Sequence, residues 1–275
     1  MAAAVVVLSD PGAALQFQAE LLGEGSYGKV FRGSWAGDSV AIKSIAGTVR
    51  AAKREAFFLQ RAASALVVKL FFVAQVDGMP CLVLEAYDSS LCAVIRRGLP
   101  LHRAKFLAKQ MFAALAHLHT LDILHRDVKS ENFLVTRDKL VIADFGLSSL
   151  RVENRAQTLN VVSMHNRAPE LLLGDVYYDP GIDCWAAGCV LYEMLVGQLP
   201  WSSEDPAELL DAMFCQLGTP AKVGDQEVPA SFRRYPRRPL PVSILAEDLL
   251  LSLLSFDKRK RVTAAEAGKH EWAVL

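Results

Sequence analysis

Gly23-Glu24-Gly25-Ser26-Tyr27-Gly28-Lys29-Val30 is the first stretch whose residue types could do chemistry. Glycines at this spacing let a backbone approach phosphate groups closely, and the segment has three readings. A dinucleotide fingerprint or a Walker-type loop must open a helix after its glycines. Here Gly28 leads into Lys29-Val30-Phe31-Arg32-Gly33-Ser34-Trp35 and then a second strand, and the Walker form lacks its Ser/Thr because Val30 follows Lys29. The third reading is a glycine-rich hairpin over nucleotide phosphates with Val30 covering the base; an ordinary Gly-rich turn is the inert alternative. Further along, His125-Arg126-Asp127-Val128-Lys129-Ser130-Glu131-Asn132, Asp144-Phe145-Gly146 and Ala168-Pro169-Glu170 concentrate charged and amide side chains in three short, separated stretches.

The elements that must position these residues fall into two groups. From Phe17 to about Val83 the pattern is short strands with one helix; from Leu101 onward it is long helices joined by loops. Val40-Ala41-Ile42-Lys43 alternates, so Lys43 shares a strand face with Ala41. Arg50 to Ala63 carries Ala52, Ala56, Leu59 and Ala63 at helical spacing, with Glu55 one turn before Leu59. Leu107, Met111, Ala114, Leu115 and Leu118 form a second helical stripe, and Trp185 to Val196 is apolar nearly all round, the pattern of a buried helix. Pro229 to Pro241, with Arg233, Arg234, Arg237 and Arg238, is expected as an exposed loop whose arginines form a solvated face.

Composition narrows the classes. The chain has 275 residues, 52% of them hydrophobic, with 30 Lys+Arg against 30 Asp+Glu and a formal net charge of zero. That supplies a large core and no basic excess for nucleic acid. No apolar run approaches the roughly 18 residues of a membrane helix, and Ala2 to Leu8 lacks the basic flank of a signal peptide. A cytoplasmic or nuclear protein is expected, without nucleic-acid or membrane partners. Five cysteines without CxxC spacing are expected as buried small hydrophobes.

The three stretches occur in the order and at the intervals of the eukaryotic protein kinases, which this sequence resembles from about Phe17 to Trp272. The resemblance implies one catalytic domain over 1–275 of α+β class. It has a β-rich N-lobe at about 17–84 with one regulatory helix, a hinge at 85–88 and a mainly helical C-lobe at about 89–275, after an N-terminal extension at 1–16. It also implies serine/threonine phosphoryl transfer from ATP with Mg2+, where charge neutralisation and alignment matter more than covalent chemistry. Lys43, paired with Glu55, is expected on the α- and β-phosphates. Asn132 and Asp144 would hold magnesium, Asp127 would orient the incoming hydroxyl and Lys129 would sit near the γ-phosphate. The ATP site would comprise Leu22, Gly23, Glu24, Gly25, Ser26, Tyr27, Gly28 and Val30 from the hairpin, with Ala41 and Leu134 around the ring. Leu84, Glu85 and Tyr87 would complete it at the hinge. Glu170 is expected to pair with Arg261, and Asp183 to brace the backbone at His125 and Arg126.

Within the family the sequence is most similar to the cyclin-dependent group, through Gly23 to Gly28, Arg167-Ala168-Pro169-Glu170-Leu171-Leu172-Leu173-Gly174 and Leu217-Gly218-Thr219-Pro220. That likeness implies a substrate pocket of Val161, Val162, Ser163 and Arg167 suited to Ser/Thr followed by Pro. It also implies activating phosphorylation at Thr158 read by Arg54 and Arg126, inhibitory phosphorylation at Ser26 and Tyr27, and an activating partner or upstream kinase. There are departures. Lys43 and Glu55 are only 12 residues apart, which shortens the way into the regulatory helix and puts cyclin docking in doubt. His165-Asn166 replaces a Trp-Tyr pair, and Ser149 stands where a third phosphate-binding arginine is expected, with Arg151 and Arg155 near. The competing reading is a pseudokinase or scaffold in which the short connection keeps Lys43 from reaching Glu55. His102, His117, His119 and His270 are assigned no role.

Overall fold

In the computed structural model the described residues are 8–9, 15–25, 28–46, 48–151, 163–177 and 179–274. Strands β1 (Leu8–Ser9), β2 (Leu15–Gly25), β3 (Gly28–Trp35), β4 (Asp38–Ser44), β5 (Leu70–Val76) and β6 (Met79–Glu85) form one sheet, in the order β1-β5-β6-β4-β3-β2. Leu8 and Ser9, from the segment expected as an extension, lie parallel to β5 at its edge. Alternation sorts the two faces as the sequence suggests. Val40, Ile42, Cys81 and Val83 are buried on one face with Ala74, beneath Trp35, Phe71 and Phe72. Ala41, Leu82 and Leu84 face the main core, which continues into the helical lobe.

Helix α1 (Val49–Arg61) begins where the hydroxyl of Thr48 accepts from the backbone N–H of Ala51, and it buries Ala52, Glu55, Ala56, Phe58 and Leu59. After the hinge come β7 (Ser89–Ser90), α2 (Leu91–Arg96), α3 (Leu101–Thr120), β8 (Ile123–Leu124), β9 (Phe133–Val135), β10 (Leu140–Ile142) and β11 (Ser149–Leu150). The hairpin of β9 and β10 and the pair β11-β8 hold the loops that carry Asp127 and Asp144. Helices α4 (Pro169–Leu172), α5 (Gly181–Val196), α6 (Pro206–Leu217) and α7 (Ile244–Leu253) follow. Every residue of α5 from Ile182 to Met194 is buried, as its all-round apolar pattern requires.

The loop from Pro229 to Pro241 differs from expectation. Its arginines are exposed but engaged: Arg237 meets Glu247 at 2.6 Å, Arg234 donates to the carbonyl of Pro220, and Arg233 lies over the ring of Tyr235. Arg237 and Arg234 fasten the loop to its neighbours, while Arg233 stacks within the loop itself. All five cysteines are free thiols, four of them buried.

Candidate active site

The glycine-rich segment is a hairpin, with β2 and β3 antiparallel and Gly25 opposite Gly28. A strand follows Gly28, so neither helix-opening reading applies. The demand for glycine at 28 is local: its φ is 141°, and a Cβ would lie 1.8 Å from the carbonyl oxygen of Ser44 on β4. Gly23, in contrast, faces open space. Ser26 and Tyr27 lie outside the described residues.

Beneath the hairpin, Lys43 on β4 donates to Oε1 of Glu55 at 2.7 Å and to Oδ1 of Asp144 at 2.8 Å. The connection from β4 to α1 is short, yet the pair is closed. Burial pulls the Lys43 ammonium down in pKa, but Glu55 and Asp144 outweigh it and hold it above its ordinary value. The lysine is therefore a fixed cation at the cleft floor.

Asp144 takes a left-handed backbone conformation, φ 63°, which turns its carboxylate to Lys43 while Phe145 is fully buried edge-on to the ring of His125. Left-handed geometry costs a non-glycine residue about 1–3 kcal/mol, so the surrounding contacts must impose it. Arg54 of α1 supplies two, donating to the carbonyls of Gly146 (2.6 Å) and Ser148. Arg126, also left-handed at φ 65°, donates through Nε to the carbonyl of Leu147. Burial, and then the charge of Arg126, lower the Arg54 pKa, and both guanidinium groups serve carbonyls of one stretch, Gly146 to Ser148. Thr158, the expected source of a phosphate between them, lies outside the described residues, as does Arg155.

Asp127 is the most heavily donated carboxylate in the site. Its Oδ1 accepts from the hydroxyl (2.8 Å) and the backbone N–H (3.2 Å) of Ser163. Its Oδ2 accepts from Nδ2 of Asn132 at 2.8 Å and lies 2.9 Å from Nζ of Lys129, which also donates to the Ser163 hydroxyl at 3.0 Å. Burial would raise the Asp127 pKa, but the charge and hydrogen bond of Lys129, then Ser163, bring it below the usual carboxylate value. Asp127 is thus an anion, well suited to align a hydroxyl and weak as a base.

Metal fit follows from the same contacts. The amide nitrogen of Asn132 is committed to Asp127, which leaves its oxygen for a ligand, and Asp144 keeps Oδ2 beyond the Oδ1 used by Lys43. One carboxylate and one amide oxygen match magnesium, which completes its shell with water and substrate phosphates. No set of three or more His, Cys, Asp or Glu suited to a metal occurs among the described residues.

A cavity of about 530 Å³ between the lobes is lined by Leu22, Gly23, Glu24, Val30, Ala41, Lys43, Leu84, Glu85, Tyr87, Leu134 and Asp144. It brings together the expected nucleotide residues that are described, apart from Gly25 and Gly28, and adds Val68 and Ala143, which carry no motif. A second cavity of about 600 Å³ shares Lys43, Asn132 and Asp144 and extends past Lys129 and Ser163. Arg167 lies just beyond Ser163 at the approach to α4, and Val161 and Val162 are outside the described residues.

The scaffold contacts appear where expected. Asp183 accepts from the backbone N–H groups of His125 and Arg126, both at 2.9 Å, and Arg261 meets both oxygens of Glu170 at 2.7 and 3.0 Å. His125 takes a single tautomer: Nδ1 accepts from the N–H of Asp127, so Nε2 donates to the carbonyl of Ala143. Two contacts have no signal in the sequence. His119 on α3 reaches Asp183 at 3.1 Å, and Lys139 donates to the hydroxyl of Tyr87, which donates in turn to Glu85 at 2.8 Å. His117 and His270 also have partners, the carbonyl of Ala62 and the carboxylate of Asp248.

A sheet above a helical lobe, with a lysine, two aspartates and an asparagine converging on the cleft, defines a nucleotide-dependent phosphotransferase site. Residues 17–273 match the model of the protein kinase domain. The chain is 33% identical over 273 residues to cyclin-dependent kinase 17 of Caenorhabditis elegans, covering 90% of this chain and 41% of that protein. It is 35% identical over 214 residues to CTD kinase subunit alpha of Schizosaccharomyces pombe, covering 72% of this chain and 36% of that one. Cell division control protein 2 homolog 2 of Trypanosoma brucei brucei is 32% identical over 281 residues, with 92% and 81% covered. This chain therefore spans about two fifths or less of the first two relatives. It belongs to the protein kinase domain family, as a serine/threonine kinase domain of the cyclin-dependent-kinase-like branch.

Proposed function

We propose that the protein transfers the γ-phosphate of ATP, with Mg2+, to Ser or Thr hydroxyls followed by Pro in other proteins. The observation that carries this reading is the joint convergence of Asp127, Lys129, Asn132 and Ser163 beside the Lys43-Glu55-Asp144 cluster. Bound magnesium would neutralise phosphate oxygens; Asn132 and Asp144 would hold it. Lys43 binds and orients the phosphate chain. Asp127 has both oxygens fully donated, so an arriving hydroxyl takes the place of the Ser163 hydroxyl, the one neutral donor that can rotate away. Lys129 then keeps its charge at the point where the phosphoryl group passes.

Proline direction is supported by the likeness of the run through Arg167-Ala168-Pro169-Glu170 to the cyclin-dependent group. An upstream kinase acting at Thr158 is supported by the neighbouring guanidinium groups of Arg54 and Arg126. Five free thiols suit a reducing compartment, the cytoplasm or nucleus. Among the described residues no helix is long and apolar enough to cross a membrane.

The test is transfer from labelled ATP to a degenerate Ser/Thr-Pro peptide library, with wild type beside Asp127→Asn. Wild type should label the library and the variant should fall by roughly 100-fold or more while still binding ATP. Equal rates would overturn the role of Asp127, and labelling indifferent to proline would overturn the specificity.

A further inference from the structure

The hinge carries a chain of polar contacts that phosphoryl transfer does not use directly. The Tyr87 hydroxyl donates to Oε2 of Glu85 at 2.8 Å and accepts from Nζ of Lys139 at 2.9 Å. Lys139 also lies 3.7 Å from that carboxylate oxygen and over the Tyr87 ring. The three residues come from three places. Glu85 ends β6 in the sheet, Tyr87 follows in the hinge, and Lys139 sits on the turn between β9 and β10 in the helical lobe. That turn is itself fixed to α3. Arg103 donates to the carbonyls of Thr136 and Arg137, and the backbone N–H of Leu140 donates to Oε1 of Gln110. A braced turn of one lobe thus presents a cation to the end of the other lobe's last strand.

The cavities show which side each residue serves. Glu85 and Tyr87 line the nucleotide cavity, and Lys139 does not. Lys139 and Glu85 line a different cavity, of about 440 Å³, with Val67, Val68 and Leu70. Lys139 can therefore reach a bound nucleotide only through its two neighbours. Burial, and then the bond to Glu85, push the Tyr87 phenol above its ordinary pKa, so it stays a neutral link that donates to the carboxylate and accepts from the ammonium. Lys139 and Glu85 keep 38% and 39% of their side-chain surface exposed, so solvent screens the direct pair and the phenol is the stronger part of the connection. Both ends of the three-residue stretch 85–87 are held by it, and the backbone of that stretch is what a nucleotide base would meet.

We propose that Lys139 is a positioning residue for nucleotide binding, holding the hinge at 85–87 through the Tyr87 hydroxyl and the Glu85 carboxylate in the arrangement that receives the base. The inference rests on the kinase reading and adds to it a residue outside the nucleotide cavity. Lys139→Met keeps the aliphatic stem and removes the charge. It should raise the KM for ATP by about three- to tenfold, the scale of one hydrogen bond, with kcat and the KM for peptide within about twofold of wild type. Lys139→Arg, which keeps a cationic donor, should bring the KM back to within about twofold. Tyr87→Phe cuts the relay and keeps the ring; it should raise the KM to the same extent, and the double variant should be no worse than either single. Competition against a fluorescent ATP analogue reads the same effect without turnover. Adenosine should weaken by the same factor in Lys139→Met and inorganic tripolyphosphate should not, because the relay acts at the base end. An unchanged KM in Lys139→Met, effects that add in the double variant, or an equal loss for tripolyphosphate overturns the proposal. Adenosine weakened in this pattern, with no peptide labelled by wild type, would instead overturn the kinase reading and leave the role of Lys139 standing.

Discussion

In Asp127 a single ion pair, with Lys129, decides the sign of a buried carboxylate's pKa shift. Burial alone would raise the Asp127 pKa; the Lys129 charge, with its hydrogen bond, reverses the sign. Lys129→Met should therefore move the acid limb of kcat/KM to higher pH as well as lower kcat, because Asp127 then protonates more readily. A pH-rate profile at saturating ATP checks this, and an unmoved limb would contradict it. The residues at this scale were largely legible in the sequence. Lys43, Asp127, Asn132 and Asp144 sit in short motifs whose local backbone already restricts where they can be. Lys139 and His119 were not legible, since each depends on a partner 52 or 64 residues away that only the folded chain supplies.

Elements transmit these positions through a few cross-links. Helix α1 is entered by the short stretch after Ser44, capped at Thr48, and Arg54 ties it to the two carbonyls after Phe145. Removing that tie in Arg54→Ala gives up two charge-assisted hydrogen bonds, each worth about 1.5–3 kcal/mol, and should lower kcat by at least about tenfold, even in protein that carries no phosphate at Thr158. A defect seen only in phosphorylated protein would assign Arg54 to the phosphate alone. The catalytic loop is tied to α5 and α3 by Asp183, whose carboxyl burial would raise but which the His119 contact and backbone N–H groups hold below the usual range. A depressed folded pKa means the stabilisation is present above the unfolded carboxylate value of about 3.9 and is lost as pH falls toward the folded value. Asp183→Asn should cost roughly 3–5 kcal/mol at neutral pH. Its melting temperature should also depend less on pH below about 4, which thermal unfolding across that range measures. The short connection into α1 was visible in the sequence, but its consequence was not. Spacing alone does not show that Ile45 can be buried and the helix still bring Glu55 to Lys43.

At the scale of the whole molecule the cleft is a seam. Lys43 and the glycine hairpin come from the sheet, while Asn132 and Asp144 come from the helical lobe, so a ligand touching both adds a connection the unfolded chain lacks. Nucleotide at 100 times its Kd should stabilise the fold by about 2.7 kcal/mol, or roughly 5–10 °C in Tm for a chain of this size. On the proposed reading part of that gain would belong to the metal, because Asn132 and Asp144 have oxygens left over for it while Lys43 does not depend on it. Chelating magnesium should therefore shrink the shift without abolishing it. In Asp144→Asn the shift should become nearly insensitive to the chelator, since the remaining amide oxygens are weak magnesium ligands. Thermal unfolding of both proteins with nucleotide, with and without chelator, makes the comparison. A full metal-dependent shift in the variant would mean that the ion is held elsewhere in the cleft and that Asp144 serves only to anchor Lys43.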